Sequence, residues 1–333
     1  MEFTARKDLG KKETHDQFNG KWLDETSYDD VVSSIGVEDD IIRIYKPRGS
    51  LFDKPLRACI VKNAYTGDTY NEIKDTLYSI DDTSTMRANA SGPIDHEEMK
   101  KKGLIEGKDY VLRTPNSYYP LKKNGKFNRV ASANAIHSVF AGYKRGRFTG
   151  MIGLSNWCEK KSNKEKWDKM QQIATINEQA LKKGCPDIWK LQRTYADECI
   201  DEQYHLGGAP ITTLSANRYS SEGTAKMSAH VDGKDLEFGM TTMCVFRLGD
   251  FGGAYLVFPR YGVAIEADDG DVLIADSNEI HGVTKIEGDG IRLSCVAYCS
   301  TDCATKGQGG KSEKPIGPHA SKYEEKGSLE SFL

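Results

Sequence analysis

From residue 211 onward, the sequence consists of short runs rich in β-branched and aromatic residues, separated by Gly, Pro and Asp turns. The runs are ITTLSANRY, TTMCVFRLG, GAYLVFP, YGVAIEA, DVLIADS and IRLSCVAYCS. They recur at intervals of roughly ten residues, which is typical of all-β sandwiches and barrels. Short, evenly spaced strands close into a barrel or a double-sheet jelly roll. We therefore predict a jelly-roll core over residues 207–303.

The preceding residues, 31–206, predict a mixed α/β region that supports the core. YNEIKDTLYSI has the pattern of a short helix, and residues 164–204 have apolar positions at three- to four-residue spacing, interrupted by Gly-Cys-Pro. Such a pattern indicates one or two amphipathic helices, which would pack on the outer sheet. The predicted fold is α+β, with a double-stranded β-helix (jelly-roll, cupin-like) core. The polar residues 1–30 and 304–333 predict flexible ends.

The composition favours a soluble intracellular protein, nuclear in a eukaryote and otherwise cytoplasmic. No run approaches the ~18 apolar residues of a membrane helix, and the first twenty residues lack the apolar core of a secretory signal. Eight cysteines are scattered along the chain, without the density of a disulfide scaffold, so we expect reduced thiols. Nothing in the sequence predicts a membrane contact or an obligate protein partner, and we expect a monomer.

Basic residues are concentrated between residues 101 and 170. This segment has 16 Lys and Arg against 5 Asp and Glu, within a chain whose net charge is −3. A local basic block is a candidate footprint for a polyanion. In residues 160–170 the lysines alternate with acids at helical spacing, which favours a solvated face. GYKRGRFTG, residues 142–150, fits a polyanion contact and a solvated face equally well.

A possible metal site lies in the strand region. His230 and Asp232 are two residues apart, and on an extended strand such residues point to the same side. His281 follows Asp232 by 49 residues, with four strand-like runs between them. Two histidines and one carboxylate on one face are typical of non-haem Fe(II) oxygenases. The alternative is that the pair is an accident of a strand end and that His281 is a satisfied core residue.

The next strand carries Arg292, 11 residues after His281. A buried arginine needs a carboxylate partner, and the distal carboxylate of 2-oxoglutarate would be such a partner, bound bidentately. Ser294 shares a strand face with Arg292 and is positioned to donate to the same carboxylate. The combination therefore favours an oxygenase that uses 2-oxoglutarate.

Residues 230–299 resemble the Fe(II)/2-oxoglutarate dioxygenases, and within them the TET/JBP family, which oxidises thymine or 5-methylcytosine. The similar motifs are LGDFGGAYLVFPRYGVAIEADDGDVLIADS and RLSCVAY. NRYSSEGTAKMSAHVD is also similar to a stretch of the AlkB-type dealkylases, but the two-arginine strand of those enzymes is absent after the second histidine.

The resemblance implies a set of cofactors and ligands. Fe(II) would be held by His230, Asp232 and His281, with O₂ as a co-substrate. 2-Oxoglutarate would be anchored by Arg292 and Ser294. Asn217 or Tyr219, on the strand that leads to the first histidine, either contacts the co-substrate or has a structural role.

A base in duplex DNA would have to be flipped out of the helix to reach such a site. Arg145 and Arg147 are candidates for phosphate contacts, and Arg87 or Asn89 for reading the base edge. Asp235 is a candidate for contact with the polar edge of the base. Each of these residues also fits a surface loop or turn.

The leading hypothesis is an enzyme that hydroxylates the methyl group of a pyrimidine such as 5-methylcytosine or thymine in DNA, converting 2-oxoglutarate to succinate and CO₂. The alternatives are a 2-oxoglutarate-dependent hydroxylase of a protein side chain or small molecule, and a jelly-roll binding module without activity. A zinc site is disfavoured because its candidate ligands lack CxxC spacing; they are Cys295, Cys299, Cys303 and His319.

Overall fold

The computed structural model describes residues 1–47, 56–122, 124, 126–128, 130–146, 150–233, 235–236 and 238–304. Nine described strands form the larger of two main sheets, in the order β1-β3-β4-β15-β11-β18-β9-β7-β8. Their bounds are β1 Glu2–Thr4, β3 Ile41–Tyr45, β4 Leu56–Val61, β7 Ser138–Arg145, β8 Ile152–Leu154, β9 Thr213–Ser220, β11 Thr241–Leu248, β15 Val272–Ala275 and β18 Ile291–Tyr298.

The smaller sheet has five strands in the order β10-β16-β13-β14-β2. Their bounds are β2 Asp30–Ser33, β10 Met227–His230, β13 Leu256–Phe258, β14 Val263–Glu266 and β16 His281–Val283. Two separate strand pairs complete the β-structure; they are β5 Tyr110–Thr114 with β6 Ser117–Pro120, and β12 Gly252–Gly253 with β17 Ile286–Glu287.

Eight of these strands form the jelly roll. β9, β11, β15 and β18 are adjacent in the larger sheet, and β10, β13, β14 and β16 are adjacent in the smaller one, with every pairing among them antiparallel. Buried side chains of both sheets, including Val245, Leu273, Leu256 and Val283, pack in one core between them. The predicted double-stranded β-helix is confirmed.

The described chain has six α-helices, and the longest of them covers the outer face of the larger sheet. Their bounds are α1 Lys11–Phe18, α2 Gly67–Tyr78, α3 His96–Lys101, α4 Asn156–Glu159, α5 Lys164–Gly184 and α6 Pro186–Cys199. One face of α5 buries Trp167, Met170, Ile173 and Leu181 in the core that contains outward-facing residues of the sheet. Each such side chain stabilises the fold by roughly 1.5–3 kcal/mol.

The predicted break between α5 and α6 is also confirmed. α5 ends at Gly184, where an added Cβ would lie 2.9 Å from the Cys59 sulfur, so only glycine allows this approach of helix to sheet. Pro186 then begins α6, a position where its missing N–H removes no helical hydrogen bond.

Residues 1–30, which the composition predicts to be a flexible segment, are instead connected to both sheets. β1 pairs in parallel with β3, and β2 pairs in parallel with β14, so the segment extends both sheets. Between them, Gly20 N–H donates to the Ala229 carbonyl, and Ala229 N–H donates to the Lys21 carbonyl. These bonds satisfy the free edge of β10, next to His230. The N-terminal segment therefore covers the edge of β10 beside the metal site.

All eight cysteines are free and buried, as the sequence predicts for reduced thiols. Among the described residues, no helix has both the length and the apolar character that crossing a membrane requires. The predicted C-terminal tail lies outside the described residues beyond Ala304.

Candidate metal centre and its cavity

The three predicted metal ligands meet at one end of the smaller sheet. His230 is the last residue of β10 and His281 is the first of β16, and the two are paired across these antiparallel strands. The Nε2 atoms of both histidines lie 3.8 Å from Asp232 carboxylate oxygens. The three ligand atoms lie within 4.8 Å of one another and could hold a metal ion.

Both histidines are oriented from behind by backbone carbonyls. The Nδ1 of His230 lies 2.8 Å from the Ser228 carbonyl, and that of His281 lies 2.9 Å from the Glu279 carbonyl. Because a carbonyl only accepts, Nδ1–H donates and Nε2 keeps its lone pair for the metal. Burial, with the neighbouring His281, lowers the pKa of His230 to about 4. The ring is therefore neutral at ordinary pH, as a metal ligand must be.

The third ligand is fixed by the loop between β15 and β16. Asp232 N–H donates to the Ser277 carbonyl at 3.1 Å, while its carboxylate remains about one-third exposed. The exposed side faces a cavity of about 570 Å³, which is also lined by both histidines. Two imidazoles and one carboxylate on one side leave the other coordination positions open toward this cavity.

Buried charges brace the same loop. Glu279, whose carbonyl orients His281, accepts hydrogen bonds from Arg260 Nη1 at 2.8 Å and from the Tyr261 hydroxyl at 3.2 Å. Arg260 also binds Asp8 of the N-terminal segment at 2.6 Å. Partners beyond the ligands fix ligand geometry and affinity, so this network positions His281.

Arg292 is a buried cation that is not paired with a carboxylate among the described residues. Its side chain is nearly inaccessible, and its contacts are the Ser294 hydroxyl at 3.4 Å, the Met243 sulfur at 3.9 Å and the face of Tyr219 at 5.3 Å. Burial lowers the pKa of Arg292. A buried guanidinium with such weak partners is costly, so the site suits a ligand carboxylate.

Arg292 does not itself line the cavity. Arg292 and Ser294 lie behind the cavity wall, whereas Tyr219 and Met243, which contact Arg292, line it. Asn217 also lines the cavity, and its buried amide oxygen has no hydrogen-bond partner among the described residues. The predicted co-substrate residues are thus gathered at one wall. The residues present fit an iron ion and a dicarboxylate.

Among the predicted substrate residues, Arg87 enters the cavity and Asn89 does not line it. Arg87 Nη2 donates to the Ser215 hydroxyl at 2.6 Å, and its guanidinium has no carboxylate partner among the described residues. Asn89 is exposed, and its amide donates to Asn19 at 3.4 Å. Its backbone carbonyl accepts from the Ser228 hydroxyl, which ties this loop to β10.

Asp235 also lines the cavity, close to the ligand Asp232. Its carboxyl group is hydrogen-bonded to the hydroxyls of Thr241 and Ser277. Burial, with the nearby charge of Asp232, raises the pKa of Asp235 to about 8. The group is therefore mostly protonated at neutral pH and can donate a hydrogen bond into the cavity.

Arg145, a predicted candidate for a phosphate contact, is hydrogen-bonded to backbone carbonyls of the protein. Its guanidinium donates to the carbonyls of Asp302 and Gly150, at 3.1 and 2.5 Å, and it does not line the cavity. The neighbouring Lys144 does line it, a residue that the sequence analysis missed. Successive strand residues point to opposite faces, so Lys144 and Arg145 cannot both face the cavity. Arg147 lies outside the described residues.

The disfavoured zinc site finds no support in the described part of the chain. The triad of His230, Asp232 and His281 is the one group of three or more His, Cys, Asp and Glu side chains there that could hold a metal ion. His319, one of the zinc candidates, lies outside the described residues.

Comparison with known proteins identifies relatives of this region. Residues 155–301 match the model of the Tet_JBP family, described as the oxygenase domain of the 2OGFeDO superfamily. Thymine dioxygenase JBP1 of Trypanosoma brucei brucei is 27% identical over 139 residues, which is 40% of this chain and 15% of that protein. Its counterpart in Leishmania infantum is 30% identical over 119 residues, 34% of this chain and 13% of that protein.

A bifunctional helicase and thymine dioxygenase, JBP2 of Trypanosoma cruzi, is 25% identical over 51% of this chain and 16% of its own length. The chain thus matches only about a sixth of these curated relatives. Among solved structures, NgTET1 in complex with 5mC DNA aligns over 89% of this chain and 90% of its own, at 13% identity and a TM-score of 0.48.

Proposed function

We propose that this chain, whose residues 155–301 form an oxygenase domain of the Tet_JBP family and hence of the 2-oxoglutarate/Fe(II) dioxygenases, hydroxylates the methyl group of a pyrimidine in DNA. 5-Methylcytosine and thymine are the candidate targets. The observation that carries the proposal is the His230–Asp232–His281 triad, which opens into a cavity backed by Arg292. Arg292 is buried and has no carboxylate partner among the described residues. The names of the matched relatives support thymine oxidation.

His230, Asp232 and His281 would hold Fe(II), and Arg292 with Ser294 would hold the distal carboxylate of 2-oxoglutarate. When bound, the metal and 2-oxoglutarate supply, with O₂, the oxidising power that an unactivated C–H bond requires, and 2-oxoglutarate leaves as succinate and CO₂. The carbonyls of Ser228 and Glu279 accept hydrogen bonds from the Nδ1–H groups of the two imidazoles, so each Nε2 is aimed at the metal position. Preorganised ligands of this kind need no rearrangement during the reaction.

The apolar part of the cavity receives the methyl group. Met227, Leu256, Phe258 and Val283 line the cavity together with the ligand histidines. Such a lining excludes water from the reacting carbon and places a methyl group more favourably than a polar one.

The polar part of the cavity binds the remainder of the nucleotide. Arg87 supplies a positive charge without a carboxylate partner among the described residues, suited to a phosphate. Asp235, which lines the cavity next to Thr241 and Ser277, would contact the polar edge of the base.

The test is a product assay on defined oligonucleotides. The purified chain is incubated aerobically with Fe(II), 2-oxoglutarate and oligonucleotides that contain 5-methylcytosine or only thymine, and nucleosides and succinate are quantified by mass spectrometry. We expect a nucleoside that has gained one oxygen atom. Asp232→Ala removes a ligand and should abolish the product, whereas His96→Ala, an exposed histidine outside the cavity, should retain it.

Two results would contradict the proposal at different levels. Succinate formed by the wild type but not by Asp232→Ala, with no oxidised nucleoside, would retain the dioxygenase and reject the DNA substrate, leaving a protein side chain or small molecule as the target. No succinate under any condition would reject the enzymatic activity.

A further inference from the structure

The cavity extends beyond the metal centre because the two sheets differ in width. The smaller sheet ends at β10, whereas the larger sheet continues past β9 to β7 and β8. The cavity-facing side of β7 therefore has no strand opposite it. Ser84, Met86 and Arg87, from the loop after α2, line this part of the cavity instead.

The walls of this extension combine an aromatic ring, a cation and an amide. Phe140 and Lys144 come from β7, and Asn156 and Trp157 come from α4; all four line the cavity. We call this group the β7 chamber. Phe140 and Lys144 are partly exposed and Asn156 is exposed, so their surfaces are open to a ligand.

Lys144 has no carboxylate partner among the described residues. Its ammonium group lies 5.9 Å from the centre of the Phe140 ring. Trp157 differs, because its indole N–H is already bonded to Asp82 at 3.0 Å. Lys144 is therefore the group of the chamber that remains available for an anion, and Phe140 offers an adjacent aromatic surface.

The co-substrate does not account for this cation. Arg292 lies on β18, and β9 separates β18 from β7 in the sheet. Arg87 stands at the border between the two parts of the cavity, since its partner Ser215 is directly opposite Phe140 in the β7–β9 pairing. Two cations, Arg87 and Lys144, thus follow each other along one wall leading away from the metal centre.

We propose that the β7 chamber binds the nucleotide adjacent to the target base on the same strand, with its phosphate at Lys144 and its base against Phe140. This inference rests on the proposed function. A positive groove with an aromatic surface is how proteins hold single-stranded nucleic acid, since every base has a face that can stack. Two cations along one wall match the repeating phosphates of a nucleic-acid strand. An isolated nucleoside has no phosphate and would contact neither Arg87 nor Lys144 in this way.

The consequence is that two consecutive nucleotides are unstacked together. Unpairing costs free energy in a duplex and much less in a single strand. We therefore expect the enzyme to oxidise single-stranded or mismatched DNA with a higher kcat/KM than a fully paired duplex of the same sequence.

The first experiment varies the substrate and leaves the protein intact. Turnover of wild-type enzyme is compared on trinucleotides whose central target base has a normal neighbour or an abasic one, on each side in turn. Loss of one neighbouring base should raise KM by about tenfold or more, the range expected for one stacking contact. The opposite neighbour should have a smaller effect. Equal KM values for all the substrates would overturn the proposal.

The second experiment assigns the effect to the chamber. Phe140→Leu keeps an apolar side chain, so the fold is expected to survive, and the penalty for the abasic neighbour should shrink because the stacking surface is already lost. Lys144→Gln should weaken the salt dependence of KM, whereas Lys190→Gln, at an exposed position on α6, should retain the wild-type slope. Additive effects of Phe140→Leu and the abasic neighbour would reject the contact.

Failure of this inference and failure of the proposed function give different results. If wild-type protein oxidises bases but is indifferent to the neighbouring nucleotide, the chamber is wrong and the function stands. If wild-type protein oxidises no nucleobase at all, both are wrong.

Discussion

At the metal end of the cavity every ligand residue donates a hydrogen bond to a backbone carbonyl, whereas in the β7 chamber the side chains have few partners among the described residues. His230, Asp232 and His281 are held by the carbonyls of Ser228, Ser277 and Glu279. The Lys144 side chain lies against the ring of Phe140 and has no carboxylate partner among the described residues. Chemistry requires fixed geometry, so the difference assigns the reaction to the metal end. The β7 chamber instead recognises a substrate that carries its own charges.

The largest expected effect is the loss of a metal ligand. His281→Ala removes one of two imidazoles, so we expect turnover of 2-oxoglutarate to fall to background and the rise in melting temperature on adding Fe(II) or Mn(II) to disappear, since a ligand stabilises only the state that binds it. Thermal unfolding with and without metal measures this. A variant with the wild-type rise would show that the ion binds elsewhere.

The co-substrate wall should respond nearly as strongly. Arg292→Lys keeps a positive charge but loses the planar pair of donors, and we expect KM for 2-oxoglutarate to rise by roughly 10- to 100-fold, the value of a charge-assisted hydrogen bond. Arg218→Lys is the matched control, since Arg218 lies on β9 against Tyr78 and outside the cavity. Similar KM values for wild type and Arg292→Lys would contradict the assignment.

A smaller effect is expected from the charges that brace the metal end. Arg260→Lys loses the guanidinium group that binds both Glu279 and Asp8. The Glu279 carbonyl, which orients His281, is then held less firmly. We expect metal affinity to fall by about tenfold, measured by calorimetry with Mn(II). Arg193→Lys, whose arginine pairs with Asp197 on the surface of α6, serves as the control. Unchanged affinity would make the network purely structural.

The smallest effect concerns Asp235, which lines the cavity close to the ligand Asp232. Its pKa is raised to about 8 by burial, from an ordinary value of 3.8. Between these values the unfolded chain binds fewer protons than the folded chain, so the stability of the wild type falls as pH rises. Asp235→Asn has no such loss.

We therefore expect the difference in melting temperature, metal-free Asp235→Asn minus metal-free wild type, to increase from pH 5 to pH 8. Unfolding is followed in EDTA across this range. A difference that stays constant with pH would mean that the pKa of Asp235 is not raised.

The sequence predicts the metal end better than the β7 chamber for a physical reason. The spacing of His230, Asp232 and His281 follows from strand alternation and from the turns between short strands, which are local properties of a sequence. The chamber depends on which face of β7 meets the cavity, and β7 has buried residues on both faces. A shift by one residue exchanges Lys144 for Arg145.

The N-terminal segment shows the same limit. Its residues are polar, yet Gly20 and Lys21 bond to Ala229 beside the metal centre, and Asp8 bonds to Arg260. These partners are more than two hundred residues away in the chain, and backbone hydrogen bonds across such a distance leave no local pattern. Composition therefore predicts a flexible segment where the structure has strands and hydrogen bonds that cover the edge of β10.

The most direct test of the account is the ratio of succinate released to oxidised bases formed by the wild-type chain on single-stranded oligonucleotides. If both ends of the cavity serve one reaction, each hydroxylated methyl group accompanies one molecule of succinate, and Asp232→Ala abolishes both products together. Succinate that forms at the same rate with and without the oligonucleotide, and without any oxidised base, would contradict the account.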